Sequence, residues 1–187
     1  MKRSETVADA AITLLAERGM RGLTHRAVDD AAGLPPGSTS NLARTRAALL
    51  ELTLSRLTEL ELQALAPAYQ GESSDSTDLT DLPGRMAEAI YIQLTDRRRT
   101  LARYELALEA TRRPELRKIY DEAGRRFRDP AVALLAALGS RDPVRHARQL
   151  VAFGEGVMFD AIAGAGTTPT LDELNEALRD LLAGMLR

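Results

Sequence analysis

Cysteine is absent from the 187 residues, which removes disulfides, thiolate metal sites and a cysteine nucleophile, and makes a reducing cytoplasm the natural setting. Tryptophan is absent as well, and with only two histidines, His25 and His146, no zinc site is expected. Both histidines read as exposed helix-face residues. Aromatic residues make up 4% of the chain, and none precedes Tyr69. No apolar run approaches the roughly 18 residues of a membrane span, and Glu5, Asp9 and Glu17 interrupt the stretch that a secretory signal would need after Met1-Lys2-Arg3. No paired nucleophile and base, no metal-ligand spacing and no GxxxxGK[ST] phosphate loop are present, so neither an enzyme nor a bound cofactor or metal is expected. Glu105 and Glu109, on one helix face, read as salt-bridged surface rather than an acid–base pair. Arg97-Arg98-Arg99 and Arg125-Arg126 read as solvated faces.

What is present is a foldable composition, 44% hydrophobic and 28% charged, in a length that allows one domain or a small domain joined to a larger one. The net charge of −2 is unevenly spread. Residues 1–56 hold eight Lys and Arg against six Asp and Glu, a balance of +2 that leaves −4 for the remainder. That is the sign expected if the N-terminal part meets a polyanion.

Helical periodicity runs through the whole chain, and no strand-like alternation or fixed repeat interrupts it. Ser4 to Arg18 places Val7, Ala11, Leu14 and Leu15 on one stripe, with Gly19 as the stop. Thr24 caps a second, short helix that closes at Gly33, and Leu34-Pro35-Pro36 links it to a third short segment over Gly37 to Ala43. Thr45 caps a long fourth helix from Arg46 to about Ala66, ended by Pro67. A polar, turn-rich stretch from Tyr69 to Asp78 reads as a loop. Five further segments follow: Pro83–Leu94, Arg97–Thr111, Pro114–Leu138, Pro143–Ala163 and Leu171–Leu186. Asp142 is a cap for the fourth of these, and Pro130 is expected to kink or split the third near Asp129. The fold class is all-α with about nine helices.

Helix, short helix ending in glycine, tight link, short polar helix, then long helix is the order of a helix-turn-helix. A major groove admits one α-helix, and Gly37-Ser38-Thr39-Ser40-Asn41 is small and rich in donors and acceptors. These residues resemble the TetR family of bacterial regulators. The likeness runs through Ala10-Ala11, Leu14-Leu15, Glu17-Arg18-Gly19, Leu23-Thr24, Arg26, Val28, Ala31-Ala32-Gly33-Leu34, Gly37-Ser38, Thr45-Arg46 and Ala48-Leu49-Leu50. A weaker likeness covers Ala102 to Leu106 and Arg113 to Arg117. The resemblance implies a DNA-binding domain over residues 1–46 and a ligand-binding and dimerisation domain over 47–187. It implies that Thr24, Arg26, Pro36, Gly37, Ser38, Thr39, Ser40, Asn41, Arg44, Thr45 and Arg46 meet DNA, with Arg46 as the foremost phosphate anchor at a helix N-terminus.

The pattern departs from the family at Leu42, where members carry an aromatic residue or histidine, and at Ala43, where they carry phenylalanine. Leu42 has no hydrogen bond to offer a phosphate. The resemblance further implies an effector pocket among the middle helices, for which Tyr91, Tyr104, Tyr120, Phe127 and Met158 are the candidates. A small, apolar, aromatic or cationic molecule suits them. It also implies a homodimer through the last two helices, with Val151, Gly154, Val157, Met158 and Ala161 on one and Leu174, Leu178, Leu181, Leu182 and Met185 on the other. The function that follows is a repressor released from a palindromic operator by a small molecule. The alternative is a helical dimer that has lost DNA reading and carries a small molecule or binds a protein.

Overall fold

Local capping decides where these helices begin, and the computed structural model, which describes residues 2–69 and 82–186, shows it. The helices are α1 (Arg3–Gly22), α2 (His25–Ala32), α3 (Ser38–Leu42), α4 (Arg46–Tyr69), α5 (Leu82–Thr95), α6 (Arg97–Ala110), α7 (Pro114–Ala137), α8 (Pro143–Ile162) and α9 (Leu171–Met185). Among the described residues they number nine with no strand, the all-α class that periodicity implies. Thr24 accepts from the N–H of Ala27, Thr45 from Ala48 and Asp142 from Arg145, so each short polar side chain satisfies a donor that its helix leaves open.

Two prolines behave differently from expectation. Pro67 does not end α4, which continues to Tyr69, and Pro130 does not split α7. The carbonyl that loses its partner to Pro130 belongs to Arg126, an exposed residue, so water can take the bond. The loop expected from Tyr69 to Asp78 lies, apart from Tyr69 itself, outside the described residues.

The chain divides into two compact units, residues 1–60 with 97–124 and residues 61–96 with 125–187. In the first, the inward stripe of α1 joins Leu23, Val28, Leu49, Leu50, Leu57 and Leu106 in a core built of aliphatic side chains, which also takes in Ala43. α6 packs along α1. Arg56 of α4 donates to Asp9 at 3.0 Å, tying those two helices at the rim.

The expected stop at Gly19 is a break: φ is 63° and ψ −172° there, although helical turns resume to Gly22. This region of backbone space is essentially reserved for glycine. The break frees the N–H of Met20, and Glu105 Oε2 on α6 accepts it at 2.9 Å. Glu105 is thus half-buried and holds backbone, not the salt-bridged surface residue expected, whereas Glu109 does pair with Arg112 and Arg113. A methyl group at Gly19 would find room, its nearest neighbour being Glu105 Oε1 at 3.5 Å, so Gly19→Ala tests the backbone alone. The expected loss is about 1–3 kcal/mol of unfolding free energy, measured by chemical denaturation; an unchanged midpoint would show that the break is not enforced.

In the second unit α5 packs against α8 and α9. Leu82, Ala87, Ile90 and Leu94 of α5 are buried, as are Leu174, Leu178, Leu182 and Met185 of α9. His146, expected on an exposed face, is buried at the α7–α8 turn. The Arg145 guanidinium, which can only donate, lies 2.9 Å from its Nε2. The ring proton therefore sits on Nδ1, which donates to Ser140 Oγ at 2.7 Å.

Candidate nucleic-acid interface

The N-terminus of α3 has no capping side chain of its own, because the cap position is Gly37, held in the left-handed region at φ 87°. The missing acceptor arrives from α2. Asp29 Oδ2 accepts the N–H of Gly37 and Oδ1 the N–H of Thr39, both at 2.7 Å. Asp29 is only 2% exposed, so these charge-assisted bonds form where water cannot compete. Burial works to raise its carboxyl, but the bonds from Thr39 and Gly37 and the nearby His25 outweigh that and hold it below its ordinary value.

Three more links fix the pair of helices. Gly33 ends α2 in the left-handed conformation, with Leu34 N–H donating to Asp29 O at 2.9 Å. His25 Nε2 donates to the carbonyl of Ala43 at 2.6 Å, joining the first turn of α2 to the end of α3. Arg3 donates to Ser38 Oγ at 2.8 Å, and that hydroxyl donates to Pro35 O at 2.6 Å. α3 is therefore held at both ends before any ligand arrives.

The residues expected to meet DNA fall into two groups. Thr24, Arg26, Pro36, Gly37, Ser40, Asn41, Arg44 and Thr45 are exposed. Ser38 and Thr39 are not: both side chains are buried, Ser38 engaged by Arg3 and Pro35 and Thr39 wholly enclosed beside Asp29. Arg46, expected as the foremost phosphate anchor, is half-buried. Its guanidinium donates to Leu23 O at 2.6 Å and Met20 O at 2.7 Å, carbonyls that follow the break in α1. Arg46 braces the head from within. Asp29, His25 and Arg3 were missed in the sequence, and one signal could have shown Asp29: a short helix opening on glycine needs an acceptor from elsewhere.

Residues 76–187 match the tetracyclin repressor-like C-terminal domain. The chain belongs to the TetR family. This is a family of transcriptional regulators with the architecture found here, a helix-turn-helix head and a helical C-terminal domain. A TetR-family member from Streptomyces coelicolor A3 is 31% identical, with a TM-score of 0.75 over 97% of this chain and 98% of its own. The multidrug binding protein EbrR, solved with ethidium, is 30% identical, with a TM-score of 0.70 over 96% and 98%. A transcriptional regulator from Rhodococcus sp. Rha1 shares the fold at a TM-score of 0.81 and 23% identity, over 98% and 95%. No curated protein matches the chain.

The residues expected at an effector pocket occur in both units. Tyr104 and Tyr120 belong to the first unit, Tyr91, Phe127 and Met158 to the second. Guanidinium groups already cover two of these rings, Arg103 over Tyr104 at 5.2 Å and Arg117 over Tyr120 at 5.4 Å, and Tyr120 packs against the first unit's core. Tyr91 is exposed, Phe127 half-buried and Met158 buried.

Of the residues expected at a dimer face, Gly154, Met158, Leu174, Leu178, Leu182 and Met185 are buried within the chain itself, while Val151, Val157, Ala161 and Leu181 are half-buried. An added methyl at Gly154 would stand 3.6 Å from Ile90 Cδ1, so that glycine faces α5. The outward side of α8 carries Ala152, Gly156 and Phe159 instead, the last 54% exposed.

Proposed function

We propose that this TetR-family chain is a dimeric repressor whose heads bind a palindromic operator and leave it when a small molecule binds. The observation that carries the DNA reading is the lock of Asp29 on α3. A buried carboxylate fixes a short helix whose exposed side is Ser40, Asn41 and Leu42, flanked by the exposed Arg26 and Arg44. Thr24, Pro36, Gly37 and Thr45 border that side and complete the proposed contact with double-stranded DNA. Ser38, Thr39 and Arg46 act through the shape of the head.

The dimer is supported by the outward side of α8. A methyl at Gly156 would meet nothing in the chain, so the fold itself does not require glycine there, and Phe159 beside it is exposed. Small residues permit close helix approach, and two heads one DNA turn apart multiply weak half-site affinity. Val151, Val157, Ala161 and Leu181 border this surface. For the effector, the relation to EbrR supports an aromatic or cationic molecule held in the C-terminal region, with Phe127 and Met158 as the residues proposed to line its site. Tyr104 and Tyr120 are poorer candidates for a cation, because a guanidinium already lies over one face of each ring.

The test is a gel shift on fragments of the source genome at several salt concentrations. Arg44→Ala should weaken binding to every sequence alike and reduce the slope of log affinity against log salt by about one unit. An unchanged slope would remove Arg44 from the phosphate contacts. Release is tested separately: a molecule that binds the free protein by calorimetry must lower operator affinity by the same factor by which operator lowers its own. The second reading, a carrier that has lost DNA binding, draws support from the engagement of Arg46 by carbonyls, and the absence of any salt-dependent shift would favour it.

A further inference from the structure

Leu42 is 45% exposed, an apolar side chain at the end of an otherwise small and polar helix. Its position follows from the lock already described. Thr39 and Ala43, four residues apart, are buried and mark the inward side of α3. At about 100° per residue, Asn41 lies opposite them and Leu42 falls on the flank, one turn beyond Ser38. The head does not use it: Ala43, not Leu42, enters the core.

A residue on the flank of a groove-bound helix meets either the sugar–phosphate wall or the edge of a base. Leucine has no donor for a phosphate. In the major groove the apolar feature within a base edge is the C5-methyl group of thymine, and apolar side chains recognise it. The surrounding surface argues against a protein partner for the same side chain. Ser40, Asn41, Arg44 and Thr45 are all exposed beside it in sequence, and covering Leu42 with protein would take a guanidinium and several hydrogen-bonding groups out of water together.

We propose that Leu42 packs on the methyl group of a thymine in each half-site, so that an A·T pair at that position is a specificity determinant of this regulator. The inference rests on the DNA reading above. Ser40 and Asn41 supply the polar contacts on neighbouring base edges, and Leu42 distinguishes thymine by shape.

The experiment uses the full chain. Duplexes are selected from a random pool, and each thymine of the bound half-site is then replaced in turn by uracil, which removes the methyl and keeps every hydrogen bond. Wild type should lose affinity about fourfold at one position, the worth of one buried methyl-sized group, and Leu42→Ala should lose nothing further there. Because Leu42 is exposed, the variant keeps its fold, which a thermal melt verifies. Selected DNA on which wild type and Leu42→Ala respond alike to every replacement overturns the inference and leaves the DNA reading standing. Failure to select any duplex overturns both.

Discussion

Asp29→Asn should unlock α3, the proposed reading helix, with a loss of about 2 kcal/mol in the order of that helix and, where binding requires the locked form, a fall of about thirtyfold in affinity for the proposed operator. The physical basis is the two N–H groups that converge on one carboxylate, Gly37 on Oδ2 and Thr39 on Oδ1. An asparagine amide keeps one acceptor and turns an NH₂ group toward the other donor, so a buried bond becomes a buried conflict. Asp29→Ala leaves both donors without a partner and should cost about 3 kcal/mol or more. In a chain of this size that corresponds to a fall of about 6–12 °C in melting temperature.

The pH dependence has a definite sign. The Asp29 carboxyl sits below its ordinary value of 3.8, so its stabilisation is complete above that pH and drains away as the pH falls through the lower native value. Wild type should therefore exceed Asp29→Asn in stability at pH 7, and the gap should narrow steadily below about pH 4. Equal melting temperatures at pH 7 would show that the carboxylate does not hold α3.

Arg46→Ala should destabilise the head by about 3 kcal/mol, because two carbonyls that now accept from a cation lose their donor together. Arg46→Lys should recover part of that loss, since an ammonium is a single point and does not span both acceptors as a guanidinium does. The DNA readout separates a brace from a phosphate anchor. Arg46→Ala protein that remains folded should bind with the wild-type salt slope, in contrast to Arg44→Ala. A variant that melts like wild type but loses about one unit of slope would restore Arg46 to the DNA backbone.

Much of the helical layout was legible because its causes are local. Thr24, Thr45 and Asp142 cap donors three residues away, and Gly33 closes α2 through its own backbone angles. The contacts that the sequence did not announce join residues distant in the chain. Arg46 bonds to Met20 and Leu23, Glu105 to Met20, and Asp29 reaches across the turn to another helix. No spacing rule encodes those pairings. The stripe on α9 shows a different limit, since apolar periodicity tells that Leu174, Leu178 and Leu182 are covered but not by what. They are covered by the chain's own second unit. His146 was misjudged for a related reason: its surroundings come from the α7–α8 turn, where Ser140 meets it.

The break in α1 at Gly19 is gripped on two sides, by Glu105 through the N–H of Met20 and by Arg46 through the carbonyls of Met20 and Leu23. Glu105 is made long after the helices that touch it. During synthesis, at about 5–20 residues per second, the N-terminal helices emerge first, and the 85 residues that separate Met20 from Glu105 delay this contact by several seconds. A chimera that borrowed only the N-terminal helices would carry that wait permanently, and a working transplant of this head needs α6 to travel with it.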